Sequence, residues 1–195
     1  VIIMLMAMAY VAGKAGDMLI HSITLTVAGA VMGFFVWNFP AGLIFMGDGG
    51  AYFLGFLLAE VSILLVNRNA SVSPMFPLLL CAYPIFETVF TMYRRKFVRG
   101  VAVGAPDGIH LHTLIHRRMI RWRTSPTIER RQAVRNSMTS PYLWVLCLSS
   151  VMPAVLWWNS TPILGAFLLL FMAGYTLPYR SIVRFKTPKW LFFSR

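Results

Sequence analysis

The sequence predicts an all-α fold, a polytopic transmembrane helical bundle of about six spans, and three observations carry that prediction. Of the 195 residues, 58% are hydrophobic and 12% are charged, against about 25% charged in an average soluble domain. The mean hydropathy is +0.68. The apolar residues gather into runs approaching the ~20 positions a helix needs to cross a bilayer, with most of the charge between the runs. A formal net charge of +12 would suggest nucleic acid as the partner of a soluble chain. Here the basic residues flank apolar runs, so they read as juxtamembrane charge against the lipid bilayer, with no nucleic-acid partner.

Taken in order, residues 1–11 read as the end of a first span. The chain opens on Val1 inside that run and not on Met, which reads as a piece of a longer protein. Further spans are predicted at 20–39, 50–66, 75–93, 142–158 and 162–179. Together they make one integral-membrane domain over 1–195, with residues 94–141 as a long basic loop. Sixteen of the 18 Lys and Arg residues lie in that loop or in the tail from Arg180; only Lys14 and Arg68 lie in other connections. The positive-inside rule places loop and tail in the cytoplasm. Alternation of the spans then puts Asp48 on the same side, and Trp157 and Trp158 at the opposite interface. Cys81 and Cys147 fall inside apolar runs and read as free thiols, not a disulfide. Glu60 and Glu87 also fall within spans, where a carboxylate is expected to face the bundle interior, protonated or hydrogen-bonded, or to sit near an interface.

Two stretches carry residues suited to chemistry. In "IFMGDGGAYFLGF" (44–56), Asp48 stands among Gly47, Gly49 and Gly50 at the mouth of a span. The glycines allow a backbone to approach a ligand closely, and equally suit helix packing in a membrane. In "GAPDGIHLHTLIHRRMIRWR" (104–123), His110, His112 and His116 are spaced i, i+2, i+6. A helix would put His112 and His116 on one face, and an extended segment would pair His110 with His112. The three converge if an extended entry runs into a helix near Leu111. Such a cluster could bind zinc or serve a phosphate as donors and acid/base groups. Arg117 and Arg118 add positive potential suited to a phosphorylated ligand. For the more distal arginines, an amphipathic helix lying on anionic lipid is the simpler account.

These motifs resemble a known family. "NFPAGLIFMGDGGAYFLGFLLA" (38–59) looks like the aspartate segment of the polyprenyl-phosphate N-acetylhexosamine-1-phosphate transferases, and "PDGIHLHTLIHRR" (106–118) like their His-x-His-His loop. The aspartate motif, two spans, the cytoplasmic histidine loop and two final spans also follow the family's order. The resemblance covers roughly 20–179, and Thr113 departs from it where a third histidine would stand. It implies a bacterial inner-membrane enzyme working from the cytoplasmic face in cell-envelope polysaccharide synthesis. Sugar-1-phosphate passes from a UDP-sugar to a polyprenyl phosphate with release of UMP. It makes Asp48 a catalytic ligand to Mg²⁺ (or Mn²⁺), with His110 and His112 catalytic in the loop over the nucleotide-sugar diphosphate. Asn38, Gly47, Gly49, Asp107, His116, Arg117 and Arg118 become candidate substrate-binding residues, and a homodimer is compatible. The family's paired aspartates and its Asn- and Asp-rich loop do not occur here, where the aspartates are Asp17, Asp48 and Asp107.

Two other readings compete. A membrane metal hydrolase or oxidase could use the histidine cluster, but the remaining histidine, His21, belongs to the opposite face. A transporter or non-catalytic scaffold would need polar or broken helices at mid-depth, for which Glu60, Glu87 and Pro84 are the candidates.

Overall fold

In the computed structural model, which describes residues 1–98 and 139–183, those residues form helices and turns without a strand. In chain order the helices are α1 (Ile2–Ala15), α2 (Met18–Asn38), α3 (Gly47–Arg68), α4 (Met75–Leu80), α5 (Ala82–Tyr93), α6 (Ser140–Leu156) and α7 (Thr161–Val183), and a short π-helical stretch, Arg94–Val98, extends α5. Among the described residues, α2 and α3 are long and apolar enough to cross a membrane, while α1, α6 and the first part of α7 are apolar but shorter.

The first connection shows how little sequence a helical hairpin needs. Gly16 takes φ +81° and its N–H returns to the carbonyls of Ala12 and Gly13, closing α1 in a left-handed cap that a Cβ would strain. The next residue, Asp17, caps α2 by accepting the Ile20 N–H at 3.2 Å, which satisfies one of the orphan donors of a helix start. The helices then pack closely: a Cβ on Gly13 would lie 3.2 Å from Nδ1 of His21. That Nδ1 donates to the Ala9 carbonyl at 2.8 Å. His21 is thus a packing residue at the Asp17 end, away from Asp48. Leu5, Met8, Ile20, Leu65, Phe76 and Leu164 are fully buried where these helices meet.

Asp17 also ties α3 to this end. Its Oδ2 accepts from Arg68 Nε at 2.7 Å and from Asn69 Nδ2 at 3.0 Å, with Arg68 contributing a longer second contact at 3.4 Å. The Arg68 guanidinium is the largest influence holding the Asp17 carboxyl down to about 2, helped by Asn69 and the Ile20 N–H and opposed by burial. A depressed carboxyl pKa contributes stability above its unfolded value, and the contribution is lost as pH falls through the folded value. Between about pH 4 and pH 2 the folded protein should therefore lose thermal stability, by a few degrees. Asp17→Asn should be less stable than wild type at neutral pH and should show a flatter profile in that window, measured as Tm in detergent.

One expectation is corrected here. The run 75–93 was predicted as one span; it is two helices broken at Cys81 (φ −94°, ψ 15°). Pro84 supplies the reason, since it lacks an N–H and its ring opposes the carbonyl four residues back, at Leu80. Hydropathy alone cannot register that break. Glu60 is exposed among the described residues, on the side of α3 away from the buried row Leu54, Leu58, Val61 and Leu65. Glu87 does turn inward, accepting a hydrogen bond from the Tyr175 hydroxyl of α7. Cys81 and Cys147 are free thiols. At the Arg68 end, Ser73 N–H donates to the Trp158 carbonyl at 3.0 Å, and Ser73 and Thr161 hydroxyls pair at 2.8 Å, joining the turn after Arg68 to the α6–α7 turn.

Candidate functional site

The α2–α3 connection is a built turn. Asn38 closes α2, and its Nδ2 donates across the loop to the Ile44 carbonyl at 2.7 Å. Gly42 N–H returns to the Asn38 carbonyl at 2.6 Å, and Leu43 N–H to that of Trp37 at 3.2 Å. Gly42 and Gly47 hold φ of +64° and +68°, a region that costs other residues about 1–2 kcal/mol. Phe35 and Phe39 stack with ring centroids 5.3 Å apart, and both lie against Trp144 of α6. The aromatic stack fixes the end of α2, and the two glycines turn the chain back into α3.

Asp48 therefore lies in the first turn of α3 and not in a loop before it. A carboxylate there complements the positive end of the helix dipole. Its side chain is exposed and makes no hydrogen bond or ion pair among the described residues. Gly49 faces open space, whereas a Cβ on Gly50 would fall 2.6 Å from Cγ of Met46. Gly47 is needed for the turn, Gly49 leaves room beside Asp48, and Gly50 is needed for packing.

A large apolar groove of about 1390 Å³ begins at this turn and follows α3. Ala51, Gly55, Ala59 and Ser62 line one wall; Tyr83 and Thr88 of α5 and Trp144 of α6 line others. Asp48 precedes Ala51, Gly55, Ala59 and Ser62 by 3, 7, 11 and 14 residues, spacings that return to one helical face. The carboxylate is thus on the groove-facing side of α3, at the groove's end. The groove was not anticipated from the sequence. The small residues at 51, 55 and 59 were the available signal: they keep one flank of α3 free of bulk.

The other candidates, Asp107, His110, His112, His116, Arg117 and Arg118, lie outside the described residues. Arg94, which leads into that loop, closes α5, at the end of the bundle where α3 begins. Among the described residues there is no group of three or more His, Cys, Asp or Glu that could hold a metal alone. A single exposed carboxylate still fits Mg²⁺ as one ligand, because Mg²⁺ commonly takes one or two carboxylates and completes its shell with substrate phosphates and water.

A helical membrane protein with a solvent-facing carboxylate at the mouth of an apolar groove is the class these features define. The sequence profile of glycosyl transferase family 4 matches residues 1–66, a stretch that includes the Asp48 turn and ends before the histidine loop. Over that first third of the chain the sequence is similar to that family. It is 35% identical over 112 residues to a probable undecaprenyl-phosphate N-acetylglucosaminyl 1-phosphate transferase of Bacillus subtilis (strain 168), covering 57% of this chain and 31% of that protein. It is 43% identical over 114 residues to a phospho-N-acetylmuramoyl-pentapeptide-transferase of Streptococcus thermophilus (strain CNRZ 1066), covering 57% and 34%. An undecaprenyl-phosphate alpha-N-acetylglucosaminyl 1-phosphate transferase of Thermotoga maritima is 28% identical over 99 residues, covering 51% and 32%. The chain thus spans about a third of the length of the curated relatives it matches. No solved structure matches it.

Proposed function

We propose that this chain forms part of a bacterial inner-membrane transferase that moves N-acetylhexosamine-1-phosphate from a UDP-sugar to a polyprenyl phosphate. The observation that carries this reading is the placement of Asp48: an exposed carboxylate, in the segment matched to the family, at the end of an apolar groove. A polyprenyl phosphate has the complementary form, with a doubly ionisable head on a long hydrocarbon tail. The tail would lie in the groove against Gly55, Ala59 and Ser62, bringing the head to Asp48. An oxygen of the lipid phosphate attacks the sugar-bearing phosphorus, the bond from that phosphorus to UMP breaks, and a diphosphate-linked sugar forms on the lipid.

Asp48 would hold Mg²⁺, which when bound supplies positive charge to the diphosphate oxygens. Asp107, His110 and His112 would come over the diphosphate from the cytoplasmic side, with His116, Arg117 and Arg118 adding donors and charge. Phosphoryl transfer is chiefly positioning and charge neutralisation, and an anchored carboxylate beside a His/Arg loop suits both. The crossing of all six predicted spans, with Asp48 facing the cytoplasm, belongs to this proposal.

The test is UMP release by the full-length transferase that contains this chain, in membranes supplied with UDP-N-acetylhexosamine, polyprenyl phosphate and Mg²⁺. His110→Ala and His112→Ala should each lower turnover at least about tenfold. Unchanged kinetics in both would remove the histidine loop from the mechanism, and no UMP release under any metal condition would remove the transferase reading.

A further inference from the structure

The exposed carboxylate on α3 calls for a partner. Asp48 and Arg68 stand near the two ends of α3, and at 1.5 Å per residue they are about 30 Å apart along its axis, the thickness of a bilayer's hydrocarbon core. Glu60 is then about 18 Å from Asp48 and about 12 Å from Arg68, close to the midplane. It is exposed, and it makes no hydrogen bond or ion pair among the described residues. It is also not among the groove-lining residues. Its neighbours on the helix surface, Phe53, Phe56, Ile63 and Leu64, are 59%, 65%, 55% and 42% exposed. A carboxylate left at that depth against lipid is strongly disfavoured, and those found there face protein and a donor.

We infer that the Glu60 face of α3 is a helix-docking surface, covered by a transmembrane helix that presents a Lys, Arg, Asn or Gln donor at mid-depth. Phe53, Phe56 and Leu64 supply the apolar contact on either side, and Glu60 sets the register. A second copy of this chain is a poor occupant. A two-fold contact centred on this face would set Glu60 against Glu60, and the basic residues of the described helices, Lys14, Arg68, Arg94, Arg95, Lys96 and Arg180, stand at or near helix ends. This inference rests on α3 crossing a bilayer and not on the transfer reaction.

Two measurements on the protein in its native membranes test it. Dicyclohexylcarbodiimide modifies protonated carboxyls exposed to lipid; Glu60, covered and paired with a donor, should remain unmodified, read by peptide mass spectrometry. A photoreactive benzoylphenylalanine at Phe56 should cross-link to a transmembrane peptide with Lys, Arg, Asn or Gln within one turn of the attachment point. Stoichiometric carbodiimide labelling of Glu60, cross-links confined to lipid, or cross-links to α3 of a second copy would each overturn the assignment. Neither readout depends on UMP release, so it can fail while the transferase reading stands, and the reverse.

Discussion

Asp48→Asn is expected to lower UMP release by at least about 100-fold, the range seen when one preorganised electrostatic group is removed from a transfer site. The amide keeps the shape of the side chain and removes the charge. Because Asp48 is exposed and without a hydrogen bond among the described residues, the exchange should leave stability within about 0.5 kcal/mol. Monodispersity and Tm in detergent should match wild type while turnover collapses. Raising Mg²⁺ should recover part of the loss if the carboxylate acts on the metal. Wild-type turnover in this variant would end the metal-binding role.

Gly55→Trp should raise the KM for polyprenyl phosphate at least about tenfold while the KM for the UDP-sugar stays nearly constant. Gly55 lines the groove, and a Cβ built on it meets nothing within 4 Å. An indole there would occupy the space proposed for the isoprenoid tail. Each methylene kept from apolar contact forfeits about 0.8 kcal/mol, so displacing two or three is enough for the effect. Gly55→Ala is the control: it adds a methyl to open space, favours the helix by about 1 kcal/mol, and should bind the lipid like wild type. Equal KM values for Gly55→Trp and Gly55→Ala would place the tail elsewhere.

Much of the framework was legible in the sequence because its signals are local. The run around α2 and the run around α3 announce themselves by length and apolarity, and an aspartate between glycines at the edge of a run marks a helix mouth. The break at Cys81 was missed because a proline in an apolar run changes geometry without changing hydropathy. The Asp17 contact was missed because its partner is Arg68, 51 residues away, and charge pairing across that distance has no sequence period. Which side of α3 Glu60 takes was not legible for a related reason: the row Leu54, Leu58, Val61 and Leu65 defines the buried face only once the neighbouring helices are known. The groove needed several helices in place, from α1 to α6, since small residues along α3 say only that something can come near.

The Asp17–Arg68 contact also bears on how accurately Asp48 can be placed. α3 behaves as a rigid rod anchored by charge at one tip, with the candidate chemistry at the other, about 30 Å away. A swing of 5° about the anchored tip would carry Asp48 through about 3 Å, and a misplacement near 1 Å can cost a site about a hundredfold in rate. The aromatic stack of Phe35, Phe39 and Trp144 fixes the end of α2, from which the turn leads into the Asp48 tip. Alignment of the site is therefore shared between its two ends, and wear at the remote one would be read out as lost precision at the near one.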